Sequence, residues 1–127
     1  MISINDVRTA VNSVVPYTWY ANEYVRDAVD DSGYVRLHGS FAPDVWTDKR
    51  KPTLQIVLRA KSAPTAETKA WAVYNAFHKR TSFAIGTQKI SSSFAEQSAP
   101  LYLGQDESGR FLYSVNFVLT LIAGQTK

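Results

Sequence analysis

The chain predicts an α+β fold: one antiparallel or mixed β-sheet, two main helices packed on one face, and an extended β-hairpin arm. Three observations carry this expectation. Apolar residues recur at three- and four-residue spacing in two stretches, one at the N-terminus and one after Pro64. Other stretches alternate apolar and polar residues, most strictly from Phe111 to Ile122. The elements run in the order helix, hairpin, helix, then a series of strands. With 127 residues, 45% of them hydrophobic, there is enough material for one core, so residues 1–127 are expected to form a single domain.

Ser3-x-x-Asp6 has the spacing of a capping box, with Asp6 in the position usually held by Glu or Gln, and Ile2 and Val7 flank it at hydrophobic-staple positions. A helix therefore starts near Ile4. Ile4, Val7, Val11 and Val14 form its apolar stripe, and Pro16 ends it near Val15. The stretch containing Tyr17, Trp19, Tyr20 and Tyr24 has no period and reads as a short strand or a loop, its aromatics packing under the first helix or forming a subunit-contact patch. After the turn signal Asp30-Asp31-Ser32-Gly33, residues 34–42 alternate, with Val35, Leu37 and Phe41 on one face.

Residues 43–52 are bounded by Pro43 and Pro52 and contain Trp46 and the run Lys49-Arg50-Lys51, a long polar connection. Alternation returns from Thr53 to Ala60, so the two strands pair around a ten-residue arm. Pro64 suits a first helical turn, with Glu67 near the positive end of the macrodipole and Lys79 and Arg80 near the negative end, which places the second helix at 64–80. Its stripe is Ala66, Ala70, Val73 and Phe77, widened by Trp71 and Tyr74. A serine-rich strand over 84–95, a short strand over 101–103 and the turn Asp106-Glu107-Ser108-Gly109 follow. They lead into the strongest strand, which sets Phe111, Tyr113, Val115, Phe117, Leu119 and Leu121 on one face and belongs at the centre of the sheet. Residues 124–127 read as a free tail.

Fourteen basic against eleven acidic side chains give a net charge of +3, unevenly spread: residues 1–31 carry −3, residues 32–64 +4 and residues 65–127 +2. The absence of cysteine excludes a disulfide scaffold, a thiol nucleophile and cysteine-ligated metal. No apolar run approaches the roughly 20 residues that span a bilayer and the N-terminus lacks an apolar leader, which predicts a soluble, unprocessed chain without membrane partners. His38 and His78, the only histidines, are the natural starting points for an enzymatic reading. Neither has a nucleophile, carboxylate or ligand partner at chemical spacing, so no catalytic residue, metal site or cofactor is assigned. Trp46 beside Lys49, Arg50 and Lys51 admits three readings: a small α+β nucleic-acid-binding module, a solvated loop, or an arm that contacts protein with Trp46 as anchor.

The second half of the chain resembles a known family. The strand QIVLRAKS, the helix PTAETKAWAVYNAFHKR, the serine-rich strand and the segment APLYLGQDESGRFLYSVNFVL are similar, over about residues 53–122, to the small tail-terminator or tail-completion proteins of long-tailed bacteriophages. The match is strongest in an LG-x-D-x-x-G-R-[FY] hairpin: Leu103, Gly104, Asp106, Gly109, Arg110 and Phe111. The resemblance implies a virion structural protein rather than an enzyme. It implies a hexameric ring at the head-proximal end of the tail tube, in the neck region, that stops tube polymerisation and meets the head-completion or connector protein. Double-stranded DNA would pass through the ring without sequence recognition, and assembly would take place in the host cytoplasm. Trp46, Lys49, Arg50 and Lys51 are then candidates for subunit or tail contact.

Overall fold

A computed structural model describes residues 3–38 and 49–126. Helix α1 (Ile4–Val14) and strands β1 (Trp19–Ala21), β2 (Ser32–His38), β3 (Lys49–Arg50) and β4 (Thr53–Ala60) precede helix α2 (Ala63–Phe77). Strands β5 (Arg80–Ile85), β6 (Gln88–Ala95), β7 (Leu101–Gln105) and β8 (Phe111–Thr126) follow it. Among the described residues these strands form one mixed sheet in the order β1-β2-β4-β8-β6-β5, with β3 and β7 also paired to β8. The expected α+β architecture is therefore present, with its helices packed on the sheet.

Strand β8 is the spine. Its strict alternation sends Val115, Phe117, Leu119 and Leu121 into the core, where Val115 and Phe117 sit opposite Ile56 and Leu54 of β4. The first half of β8 lies between β4 and β7, the second half between β3 and β6. Val7 and Val11 of α1 and Ala66, Ala70, Val73 and Phe77 of α2 close the same core. Small residues at 66 and 70 let the second helix approach the sheet closely, and Phe77 meets Phe117 at 5.6 Å between ring centroids.

The sequence placed the first helix well. Ser3 caps it, its hydroxyl accepting from the Asn5 and Asp6 amides at 3.2 and 3.4 Å, while Ile2 lies outside the described residues. The stripe is corrected at one position: Val14 is exposed, and Val15, turned inward at the helix end, is buried in its place. The aperiodic aromatic stretch contains β1, which pairs in parallel with β2. Trp19 packs in the core and donates from Nε1 to the Val15 carbonyl at 2.9 Å, so the packing reading holds for this residue.

The strand expected over 34–42 starts at Ser32, and its continuation past His38 lies outside the described residues. Helix α2 ends at Phe77, three residues before the expected limit. His78 leaves helical geometry, and its Nδ1 accepts from the Ala95 amide at 3.1 Å, while Lys79 takes a left-handed conformation. Lys79 and Arg80 are thus not in the last turn, nor Glu67 in the first, so both macrodipole arguments fail here. Trp71 is exposed while Tyr74 is buried.

The single serine-rich strand is in fact the hairpin β5–β6, turned at Gly86 and Thr87. Gly86 has φ +61°, the left-handed region that glycine enters without steric cost, and the Asp6 side chain covers it. The last residues are no free tail either: β8 runs to Thr126, which pairs with Gln88, and only Lys127 falls outside the described residues. No described helix is long and apolar enough to cross a membrane.

Candidate assembly surface

The hairpin between β7 and β8 is built around one carboxylate. Asp106 Oδ1 accepts from the backbone amides of Ser108 and Arg110, both at 3.0 Å, and Oδ2 accepts from Arg110 Nε at 2.7 Å. Its own amide donates to the Arg110 carbonyl, and Gly109, at φ +78°, donates to the Asp106 carbonyl. A short carboxylate in the first turn position followed by glycine in the fourth is what this loop chemistry needs. Desolvation pushes the Asp106 pKa up, but the backbone amides and Arg110 together outweigh it and hold the carboxyl below its ordinary range.

Arg110 also reaches Asp30 at 3.3 Å, and Lys61 meets the same carboxylate at 3.3 Å. This end of the sheet is therefore fastened to the segment over 22–31, which crosses the outer face of β2 and β4. There the Tyr24 ring lies over the buried Arg59 guanidinium at 3.9 Å, and Arg59 donates to the carbonyls of Ala28 and Val29. Burial raises the Tyr24 pKa well above its ordinary range, against the pull of Arg59, so the phenol stays neutral.

The same hairpin exposes apolar surface. Leu101, Tyr102 and Leu103 are 47, 50 and 49% exposed, and β7 pairs with β8 alone among the described residues. Three consecutive half-exposed apolar side chains on an edge strand have no role in the core of one subunit. A register shift between Tyr102 and Gly104, with Gly104 at φ +94°, bends this strand. Phe111, at the start of β8, is half-buried against the core. Within the motif, then, Asp106, Gly109 and Arg110 build the turn, Gly104 bends the strand, Phe111 packs, and Leu103 projects.

The arm residues are at the other end of β8. Trp46 lies outside the described residues. Lys49 and Arg50 are not in a loop: they form β3, paired with Ile122 and Leu121 in the register that β4 already keeps with β8. Pro52, which lacks an amide hydrogen, interrupts the ladder, yet its carbonyl accepts from the Leu119 amide at 3.0 Å, so 49–60 follows β8 as one interrupted strand. Lys51 is exposed. The structure does not bring arm and hairpin together; ten residues of β8, about 33 Å of strand, separate Phe111 from Leu121.

Two features escaped sequence reasoning. Lys89, exposed on β6 beside Ile90, reaches the flank of β8 opposite Lys49 and Arg50, because Ile90 pairs with Leu121. Only the hidden β5–β6 turn could have signalled it. His78, for which the sequence offered no partner, is half-buried, lies near Tyr74 at 5.0 Å between ring centroids and meets Phe94 edge-on at 6.2 Å. The side chain of His38 lies outside the description. No group of three potential metal ligands occurs among the described residues.

A family model described as bacteriophage tail terminator protein matches residues 10–122. No curated protein matches the chain.

Proposed function

The chain belongs to the bacteriophage tail terminator family, and from that premise we propose that it ends the phage tail as a ring of six copies. The ring sits on the head-proximal end of the tail tube, stops its polymerisation, and offers its other face to the head-completion or connector protein. Double-stranded DNA passes through it without sequence recognition. In this reading the protein does no chemistry. It is a virion component of the tail region, put together in the host cytoplasm.

The observation that supports the reading most directly is the apolar edge at Leu101, Tyr102 and Leu103, held in place by the Asp106–Arg110 turn. Such an edge is costly to leave in water and is suited to subunit or tube contact. Tyr113 adds to it: the ring lies 5.2 Å from Tyr102, and burial, then Glu67 and Tyr102, raise its pKa, keeping the phenol uncharged.

Negative-stain electron microscopy and light scattering of the purified protein across a concentration series test the proposal. The expected result is monomer at low concentration and six-membered rings at high concentration or on isolated tail tubes. A protein that stays monomeric at every concentration and fails to cap tubes refutes it. High affinity of that monomer for short oligonucleotides would favour the nucleic-acid module instead.

A further inference from the structure

Strand β8 separates two oppositely charged ends. At its N-terminal end, Asp27, Asp31 and Glu107 are exposed around the fastened Asp30–Arg110–Asp106 group. Exposed apolar side chains lie among them: Val25 at 52%, Val29 at 50%, and the β7 edge. Near the C-terminal end, β3 brings Lys49 and Arg50 to one flank of Leu121 and Ile122, and β6 brings Lys89 to the other, with Lys51 just below. Adjacent strands are about 4.8 Å apart, so the two flanks of β8 that carry the exposed Lys51 and Lys89 are about 10 Å apart.

We propose that these two ends dock on each other between neighbouring copies, the acidic, apolar end of one subunit against the basic end of the next. The argument rests on charge complementarity and on the ring reading above. Two unlike patches make a heterologous contact, the kind that closes a cyclic ring when the rotation per subunit fits. The acidic end supplies an apolar centre with a charged rim, the usual anatomy of a specific interface. The charges set register and partner choice. Strand β8 then runs along the circumference of the ring.

Charge reversal tests this with four exposed side chains. The double variant Lys51→Glu with Lys89→Glu carries two acidic ends, and Asp27→Lys with Glu107→Lys carries two basic ends. Each alone is expected to need about tenfold more protein than wild type to form rings, since reversal turns attraction into repulsion at every joint. Mixed in equal amounts, the two are expected to form rings again, alternating in composition, at a concentration within about threefold of wild type. Wild-type rings should also weaken from ~50 mM to ~500 mM salt.

Circular dichroism reports whether each variant is folded, and the milder Lys51→Gln with Lys89→Gln replaces a variant that is not. If wild type forms rings but both variants match it, or the mixture does no better than its parts, the docking is overturned while the ring reading stands. Loss of duplex-DNA binding by the Lys51, Lys89 variant with unchanged assembly overturns it as well, giving the basic end to DNA. If wild type never assembles, the ring reading fails and this contact fails with it.

Discussion

Gly33 is expected to be intolerant of a single added methyl group. It sits in β2 between Leu58 of β4 and Trp19 of β1. A Cβ there would run into the six-membered ring of Trp19 and come within 2.7 Å of the Val57 carbonyl oxygen, which belongs to a central strand and cannot retreat. The Trp19 ring would have to move. Its indole N–H now donates to the Val15 carbonyl at 2.9 Å in a buried setting, so the movement sacrifices that bond. Overpacking a tight core costs ~1–3 kcal/mol and a lost hydrogen bond ~1 kcal/mol, so Gly33→Ala should destabilise the fold by about 2–4 kcal/mol. For a chain of this size that is a melting-temperature fall of roughly 8–15 °C. Urea unfolding followed by tryptophan fluorescence measures it. Trp19→Leu in the same background makes room for the methyl, so the double variant should lose at least ~1 kcal/mol less than the sum of the singles. Gly33→Ala within ~0.5 kcal/mol of wild type, or strictly additive losses, would show that Trp19 is not seated on Gly33.

Asp106→Asn should lower stability at neutral pH, and the gap should depend on pH in one direction. Because the folded carboxyl titrates below its unfolded value, near 3.9, its contribution is present above that pH and lost as pH falls through the folded value. The difference between wild type and variant, from urea midpoints, should therefore stay level from pH 7 to about pH 5 and shrink below about pH 4; a gap that widens on acidification contradicts this. Leu101→Ser with Leu103→Ser changes exposed side chains and should move monomer stability by less than ~0.5 kcal/mol each while reducing ring formation in light scattering. Equal ring formation would remove the β7 edge from the assembly surface. His78→Ala leaves the Ala95 amide without its acceptor and should cost about 1–2 kcal/mol in thermal or urea unfolding, with ring formation by the folded fraction unchanged. Lost assembly in a fully stable variant would give His78 a role beyond the fold.

What the sequence made legible was periodicity held to one face. The alternation of β8 and β4 and the Ala66, Ala70, Val73, Phe77 stripe of α2 each answer to a single buried surface, so local pattern and tertiary packing agree. The Asp106–Gly109 turn was legible because its chemistry is local, every bond of the loop spanning four residues or fewer. The errors have non-local causes. The end of α2 is decided by Ala95, seventeen residues away, which donates to His78. The β5–β6 turn was hidden because Gly86-Thr87 is a weak signal among serines and threonines, and the side chain covering the glycine comes from Asp6. In the alternation from Thr53 to Ala60, Arg59 falls on the face opposite Leu54, Ile56 and Leu58. Its burial under Tyr24 depends on a segment thirty residues upstream that has no period. The candidate surface divides in the same way: the hairpin motif was readable, whereas Lys89 joins Lys49 and Arg50 only through the register of three strands.

That register also explains how a small subunit with a net charge of +3 can present two opposed patches. Charges on a flexible chain would approach one another and neutralise within the molecule. Here the first residues of β8 lie against β4 and β7 and residues 121 and 122 against β3, with the Leu119 amide bonded to Pro52 where the ladder of the arm is interrupted. The resulting separation, about 33 Å, is several times the ~8 Å screening length at physiological salt, so neither end feels the other inside one subunit. Each remains available to a second molecule. Arg110 and Lys61 make their ion pairs with Asp30 and Asp106, while Asp27, Asp31 and Glu107 stay exposed at the rim, with Arg26 beside Asp27. In the proposed docking, the length of β8 has a physical purpose: it keeps complementary surfaces apart within the subunit so that they meet only between subunits.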